Sequence, residues 1–239
     1  MTAATETVRE IALESPAAIG VFEQFGINYC CGGREPLAEA CAANGLDVEI
    51  VLAGLNTASQ HQDSADRNWA EEPLAALIEH IVATHHAFCK AELPRLSGLA
   101  ARVVNQHGGS NPELPQIQSK LAQLAKELAE HLAEEEVSVF PMIVKLEQEK
   151  SDCKPGKDEF SVSVGNPLSF LTREHYGAAI LLAQIRTLSR DFIAPEYGCA
   201  TYHLFFDGLR EFERDLHRHV HLENNILFPR AVELETARG

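Results

Sequence analysis

Two stretches of the 239-residue chain, HLAEEEVSVFPMIVKLE (residues 131–147) and HVHLENNILFPRAVELE (residues 219–235), share one pattern. Counted from the first histidine, each has glutamate at +4, Phe-Pro at +9 and +10, leucine at +15 and glutamate at +16. An internal duplication is the simplest explanation of so many matches at equal spacing. The duplication predicts a structure whose two halves are related by an approximate twofold axis.

The repeated histidine and glutamate lie among apolar residues that recur every three or four positions, the period of a helix with one buried face. In the first repeat this stripe contains Ile117, Leu121, Leu124, Leu128, His131, Glu135, Ser138 and Met142. In the second repeat it contains Phe205, Leu209, Phe212, Leu216, His219, Glu223 and Ile226. Two carboxylates are therefore predicted to point into an apolar interior.

A buried carboxylate needs a compensating charge, because an isolated one costs several kcal/mol or takes up a proton. A metal ion is the natural candidate, and two more histidines are placed to join it. His86 lies on the apolar stripe of a first helix, and His175 lies on that of a third. His86 precedes His131 by 45 residues, and His175 precedes His219 by 44. In antiparallel hairpins these spacings place all four histidines at one height.

His85 competes with His86 for this place, since either side chain can face inward. The regular spacing of the apolar residues that follow favours His86. Within the acidic run 134–136, only Glu135 is expected to face inward. Three other histidines lie off the stripes and are expected on solvated helix faces: His203, His217 and His221.

Four imidazoles and two carboxylates suit two metal ions that each bind two histidines and share both carboxylates. Mixed nitrogen and oxygen ligands with open positions favour iron, although manganese and zinc accept such ligands too. The predicted cofactor is a pair of carboxylate-bridged, non-haem iron ions. The predicted metal ligands are His86, His131, Glu135, His175, His219 and Glu223.

The whole chain is predicted to be all-α and to divide into two domains. Residues 1–55 alternate short helical patterns with turn residues, which indicates a small helical domain. Residues 56–68 are polar and without an apolar period, which is typical of a linker, and residues 69–239 form an antiparallel four-helix bundle. The four bundle helices are predicted near 70–106, 115–150, 166–190 and 199–235.

Composition excludes several classes of partner. The chain has 35 acidic and 20 basic residues, and this net charge of −15 argues against a nucleic-acid surface. No segment reaches the roughly 20 apolar residues that a membrane helix requires. The N-terminus lacks the basic and apolar regions of a signal peptide. The sequence therefore predicts a cytoplasmic protein that binds neither nucleic acid nor membrane.

The small domain carries two adjacent thiols, Cys30 and Cys31, in the stretch NYCCGGREP. A helix is expected to begin near Glu35 and Pro36. Helix N-termini lower thiol pKa values, and glycine gives a ligand access to the backbone, so a reactive thiolate is one interpretation. The alternative is that both cysteines are merely small residues in a turn.

Together these motifs resemble the repair-of-iron-centres family. The resemblance covers nearly the whole chain and departs from the family pattern at Asn28, where the family usually has aspartate, and at Cys89, which replaces a more polar residue. It is carried by Tyr29-Cys30-Cys31-Gly32-Gly33, His86, residues 131–141, Glu174-His175, His219-x3-Glu223-Asn224-Asn225 and Phe228-Pro229-Arg230.

The resemblance implies a hemerythrin-like di-iron bundle and a stress-response role in restoring iron–sulfur clusters damaged by nitric oxide or oxidants. It implies that Glu135 and Glu223 bridge the irons and that the four histidines bind them. Damaged iron–sulfur proteins are then the expected partners, and iron donation is expected rather than enzymatic turnover. Nitric oxide binding or reduction is the alternative, and reversible oxygen binding is a third. A homodimer is compatible with the sequence, which does not define the oligomeric state.

Overall fold

A computed structural model describes residues 2–31, 33–60, 68–151 and 163–237. In these ranges every named element is a helix, and no helix combines the length and apolar character needed to span a bilayer. The prediction of an all-α fold is confirmed. Four short helices form the N-terminal unit: α1 (Val8–Glu14), α2 (Ala17–Phe25), α3 (Leu37–Ala43) and α4 (Val48–Gln60).

Four long helices follow, and three of them contain a π-helical turn. Each predicted boundary lies within about four residues of the observed one. Helix α5 comprises Leu74–His80, the π turn Ile81–His86 and Ala87–His107. Helix α6 comprises Glu113–Glu134, the π turn Glu135–Val139 and Phe140–Ser151, and α7 is Gly165–Leu188. Helix α8 comprises Ala200–His221, the π turn Leu222–Leu227 and Phe228–Thr236.

The predicted linker coincides only in part with what the structure describes. Residues 56–60 complete α4, because the helical bonding continues to Gln60. Residues 61–67 lie outside the described residues.

The long helices pack side by side, α5 against α6 and α8, and α6 against α7. Two apolar clusters fill their interior. One includes Leu96 and Phe212 and continues into the N-terminal unit through Phe22. The other includes Leu77 and Ile143 at the opposite end. On each long helix the predicted metal ligands lie between residues of the two clusters, so a polar layer separates them.

The N-terminal unit folds back on itself directly after the two cysteines. Gly33 has a φ of 63°, and its carbonyl accepts a hydrogen bond from the backbone N–H of Arg9 at 2.8 Å. A Cβ at this position would lie 3.2 Å from that same nitrogen. Glycine accepts both the positive φ and the close approach without strain. The cysteine loop is thereby positioned against α1.

Candidate metal centre

Six buried side chains meet in the polar layer: His86, His131, Glu135, His175, His219 and Glu223. They form two groups of four ligand atoms that share both carboxylates, and within each group the atoms lie within 4.8 Å of one another. The α5–α8 position is the group that contains His86 and His219. The α6–α7 position is the group that contains His131 and His175. The layer can therefore hold two adjacent metal ions.

The four imidazoles turn their Nε2 atoms toward the centre of these groups. At the α5–α8 position, the Nε2 atoms of His86 and His219 are 3.2 Å apart. At the α6–α7 position, the Nε2 atoms of His131 and His175 are 2.9 Å apart. Each pair of nitrogens can therefore bind one ion between them.

Each carboxylate extends toward both positions. Glu135 places Oε2 3.4 Å from Nε2 of His86 and Oε1 3.3 Å from Nε2 of His131. Glu223 places Oε2 3.1 Å from Nε2 of His175 and Oε1 3.9 Å from Nε2 of His86. This arrangement is the one that a carboxylate bridge between two ions requires.

The charge balance of the layer fits bound cations. Both oxygens of Glu135 and Oε2 of Glu223 are buried and accept no hydrogen bond from any residue in the described ranges. Burial favours the neutral form of Glu223, but the charge of His219 and its hydrogen bond to Oε1 hold the pKa of Glu223 well below the usual value. Burial likewise opposes the charged form of His131, but Glu135 outweighs it and raises the pKa of His131 to about 9. Buried negative charge here requires a positive partner.

Three of the four imidazoles have an oxygen partner at Nδ1, the nitrogen that faces away from the layer. A histidine that donates its Nδ1 proton keeps Nε2 free for a metal, and such outer partners also fix the orientation of the ring. The three pairs are His86 with Glu136 at 2.7 Å, His131 with Glu174 at 2.8 Å and His175 with Asn224 at 2.9 Å.

The two cysteines lie beside the α6–α7 position. Cys30 and Cys31 are both buried, and their sulfur atoms are 3.5 Å apart. The hydrogen bond that the thiol of Cys30 donates lowers the pKa of Cys31 and raises that of Cys30, and the charge of His175 also favours the Cys31 thiolate. Both thiols are buried, and a reactive thiolate at Cys30 or Cys31 stays a prediction.

Two consecutive asparagines of α8 hold the cysteine loop. The side-chain amide of Asn224 donates to the carbonyl of Cys30 at 3.3 Å, and that of Asn225 donates to the carbonyl of Tyr29 at 2.9 Å. Because the oxygen of Asn224 faces Nδ1 of His175, one side chain connects the cysteine loop to an imidazole of the polar layer. This contact joins two parts of the chain that are far apart in sequence.

Comparison with known proteins follows the same division of the chain. Residues 77–231 match a family model described as a hemerythrin HHE cation binding domain. Residues 4–59 match a model described as a domain of unknown function, DUF542. The first match covers more than half of the chain and contains all six residues of the layer.

Several bacterial proteins named iron-sulfur cluster repair protein YtfE are similar over almost the full length. The protein of Escherichia coli O157:H7 is 34% identical over 224 residues, which are 93% of this chain and 94% of that protein. The protein of Dickeya chrysanthemi (strain Ech1591) is 32% identical over 234 residues, which are 96% and 98% of the two chains. The chain belongs to the YtfE family. The resemblance and the hemerythrin-like fold expected from the sequence are thereby confirmed.

In this member of the YtfE family, three of the long helices contain π turns that the apolar period did not predict. His86 ends one of them, Glu135 begins the second, and Glu223 lies within the third. A π turn changes the direction of the side chains around it and is frequent at functional sites. A signal for two of the three was present, since Pro141 and Pro229 follow them and have no N–H to donate to the carbonyl four residues earlier. In the third turn this is the carbonyl of Asn225, which accepts a hydrogen bond from the Arg9 side chain at 3.3 Å.

Two residues expected on solvated faces of the YtfE-family bundle instead contact other elements, His221 fully buried and Glu136 with 27% of its side chain exposed. His221 is only 2% exposed, because the N-terminal unit covers it and places the ring of Tyr29 5.5 Å from its own. Glu136 lies against His86, so Glu135 is not the only residue of the acidic run to contact the layer. His85 is also buried, yet His86 is the histidine that joins the layer.

Proposed function

We propose that this protein binds two iron ions in the polar layer and donates iron to iron–sulfur clusters damaged by nitric oxide or oxidants. The decisive observation is that two buried carboxylates lie among four imidazoles, with three oxygen atoms that no described residue satisfies. The similarity to proteins named for iron–sulfur cluster repair and the match to a cation binding domain support the same function.

Two ferrous ions bound there would supply exchangeable iron and open coordination positions. The residues that would hold this cargo are Glu135 and Glu223, which belong to both ligand groups, and the four imidazoles through Nε2. The outer partners of His86, His131 and His175 hold the Nδ1 protons of these three imidazoles, so that the rings keep their orientation after iron is donated. The apolar clusters on both sides keep bulk water away from the layer.

Cys30 and Cys31 take part in this function through their position beside the α6–α7 site. Because both thiols are buried, they reach a client protein only when the N-terminal unit moves. Asn224 bonds both to the Cys30 carbonyl and to His175, so such a movement would also change the hydrogen bond at His175. The thiols are therefore placed to assist iron transfer from this site.

The test is repair of a defined client. Iron-loaded protein is mixed with a dehydratase whose iron–sulfur cluster has been damaged by nitric oxide, and the dehydratase activity is followed. Wild-type protein is expected to restore it, and Glu135→Leu is expected to fail. Glu134→Leu is the matched control, since Glu134 is the exposed neighbour. Equal repair by Glu135→Leu and wild type would exclude the layer as the source of iron.

Nitric oxide binding or reduction is a second candidate, and an apolar groove favours it. The groove has a volume of about 460 Å³ and is lined in part by Val82, Phe140 and Val144. Phe140 stacks on the ring of His86 with centroids 5.6 Å apart, so the groove lies next to one imidazole of the layer and offers an uncharged diatomic gas an apolar surface there. Nitrous oxide production by the reduced protein distinguishes turnover from iron donation. Its absence over many equivalents of nitric oxide excludes the reductase function.

A further inference from the structure

One histidine of the layer lacks the outer partner that the twofold pattern leads one to expect. In one half of the bundle, Glu174 directly precedes the α7 ligand and accepts the Nδ1 proton of His131. In the other half, the residue that directly precedes the α5 ligand is His85, which is not a carboxylate. Its ring lies parallel to that of His219, with centroids 5.8 Å apart. Nδ1 of His219 is buried and has no hydrogen-bond partner in the described part of the chain.

A carboxylate that has an oxygen without a hydrogen-bond partner lies one helical turn away. Asp215 precedes His219 by four residues within the segment Ala200–His221, and residues at this spacing are neighbours on a helix surface. Oδ2 of Asp215 is buried and, like Nδ1 of His219, has no partner among the described residues. Oδ1 of Asp215 is 2.9 Å from Nδ1 of His85. A donor and an acceptor that both need a partner thus lie on adjacent turns of one helix.

The protonation state required of His219 makes this pairing chemically specific. Its Nε2 faces the layer, 3.0 Å from Oε1 of Glu223 and 3.2 Å from Nε2 of His86. A neutral imidazole that binds a cation through Nε2 carries its single proton on Nδ1. That N–H is a donor without an acceptor, and a carboxylate is the acceptor most often found behind a metal-bound histidine.

We propose that Asp215 is the outer partner of His219, accepting its Nδ1 proton on Oδ2 when iron is bound, while His85 holds Oδ1. Asp215 is a positioning residue, since it acts on the metal through His219. This assignment rests on the proposed iron centre and deepens it. Both histidines of the α5–α8 position then have carboxylate partners, Glu136 and Asp215. The α6–α7 position has one carboxylate and the neutral amide of Asn224.

The difference identifies the iron that is donated first. A carboxylate partner raises the basicity of a histidine ligand, whereas an amide does so less. The ion at the α5–α8 position is therefore the more tightly held. The ion at the α6–α7 position, beside the cysteine loop, is the exchangeable one.

The test compares Asp215→Ala with Asp207→Ala in the full-length protein. Asp207 lies two turns earlier on α8, its side chain is 66% exposed, and it forms an ion pair with Arg210. Ferrous iron is titrated anaerobically against a competing chelator. Asp215→Ala is expected to weaken the tighter of the two iron sites about 10- to 100-fold, and Asp207→Ala is expected to leave both unchanged. Loss confined to the weaker site, or no loss, overturns the assignment.

Thermal unfolding separates positioning from a merely structural role. If Asp215 acts through bound iron, Asp215→Ala reduces the rise in Tm that iron produces. A structural role would lower the Tm of the iron-free and iron-loaded forms equally and leave that rise intact, which overturns the proposal. His85→Phe is expected to cause a smaller loss of iron affinity at the same site, since it removes only the hydrogen bond between His85 and Oδ1 of Asp215. Wild-type protein that binds no iron would refute the proposed function itself, whereas two wild-type sites with an unaffected Asp215→Ala refute only this assignment.

Discussion

The two halves of the bundle share their inner residues and differ in the residues directly behind them. Glu136 and Asn224 occupy the same place, five residues after the first histidine of each repeat. Each accepts the Nδ1 proton of the histidine on the preceding long helix. On its outer side Glu136 is bound by Lys90 at 2.6 Å, whereas Asn224 donates to the carbonyl of Cys30 at 3.3 Å.

This difference has an energetic meaning. The Lys90 side chain is 53% exposed, and ion pairs of this kind contribute about 0–1 kcal/mol because water and salt screen them. The carbonyl of Cys30 belongs to a folded unit that shares an apolar cluster with the bundle. The repeat thus preserved the inner histidine and glutamate, while the neighbouring position diverged and linked one candidate metal site to the cysteine loop.

The largest expected effect concerns what the two halves share. Glu135→Leu and Glu223→Leu are each expected to abolish binding of both ions, since each carboxylate belongs to both ligand groups. The loss of affinity should exceed the about 100-fold that removal of an outer partner costs. Iron content after anaerobic reconstitution measures it, with circular dichroism to verify the helical fold. A variant that retained one ion with normal affinity would contradict the shared bridge.

The next effect separates the two halves. Asn224→Ala and Glu136→Ala are each expected to weaken one iron site about 10- to 100-fold, because each removes an outer partner. Only Asn224→Ala should also speed alkylation of Cys30 and Cys31, about 2- to 10-fold, which corresponds to the about 0.5–1.5 kcal/mol of one hydrogen bond. Rates of thiol labelling read by mass spectrometry measure the difference.

Linkage provides the control for that pair of variants. If Asn224 couples the two sites, removal of iron from wild-type protein should change the labelling rate of the cysteines, and this response should be lost in Asn224→Ala. Glu136→Ala should keep the response. Identical labelling responses in all three proteins would contradict the coupling of the cysteines to one iron site through Asn224.

A smaller effect concerns the side of α8 on which the N-terminal unit rests. Glu23 is buried and binds Arg214 and Arg218 of α8 at 3.2 and 2.7 Å. Burial would raise its pKa, but the hydrogen bond and charge of Arg218 outweigh burial, so the pKa lies below 4.5. Glu23 therefore stabilises the fold above pH 4.5, and this stabilisation is lost as the pH falls through the lowered pKa.

Glu23→Gln is accordingly expected to reduce stability by about 1–2 kcal/mol at neutral pH, a modest value because both arginines are half-exposed. The difference from wild type should shrink as the solution is acidified below pH 4.5. Thermal unfolding at a series of pH values measures it. A difference that stayed constant with pH would assign the effect to packing rather than to charge.

The sequence could predict that the six residues of the polar layer come together, because this follows from the spacing of apolar residues within each helix. His131 and Glu135 occupy positions where apolar residues otherwise recur, and the spacing from His86 brings a second helix to the same height. The surroundings of the layer could not be anticipated in this way. Glu136 and His221 lie off their own stripes, yet both contact side chains from other elements.

The amino-acid sequence by itself determined the helices, their buried faces and the six side chains that those faces bring together, since periodicity is a local property of each helix. Only the tertiary structure decided which residues stand behind the imidazoles and where the cysteines lie. The bond between Asn224 and Cys30 joins positions 194 residues apart. Its formation depends on the rotation of α8 at its π turn and on the docking of the N-terminal unit, and neither leaves a period in the sequence.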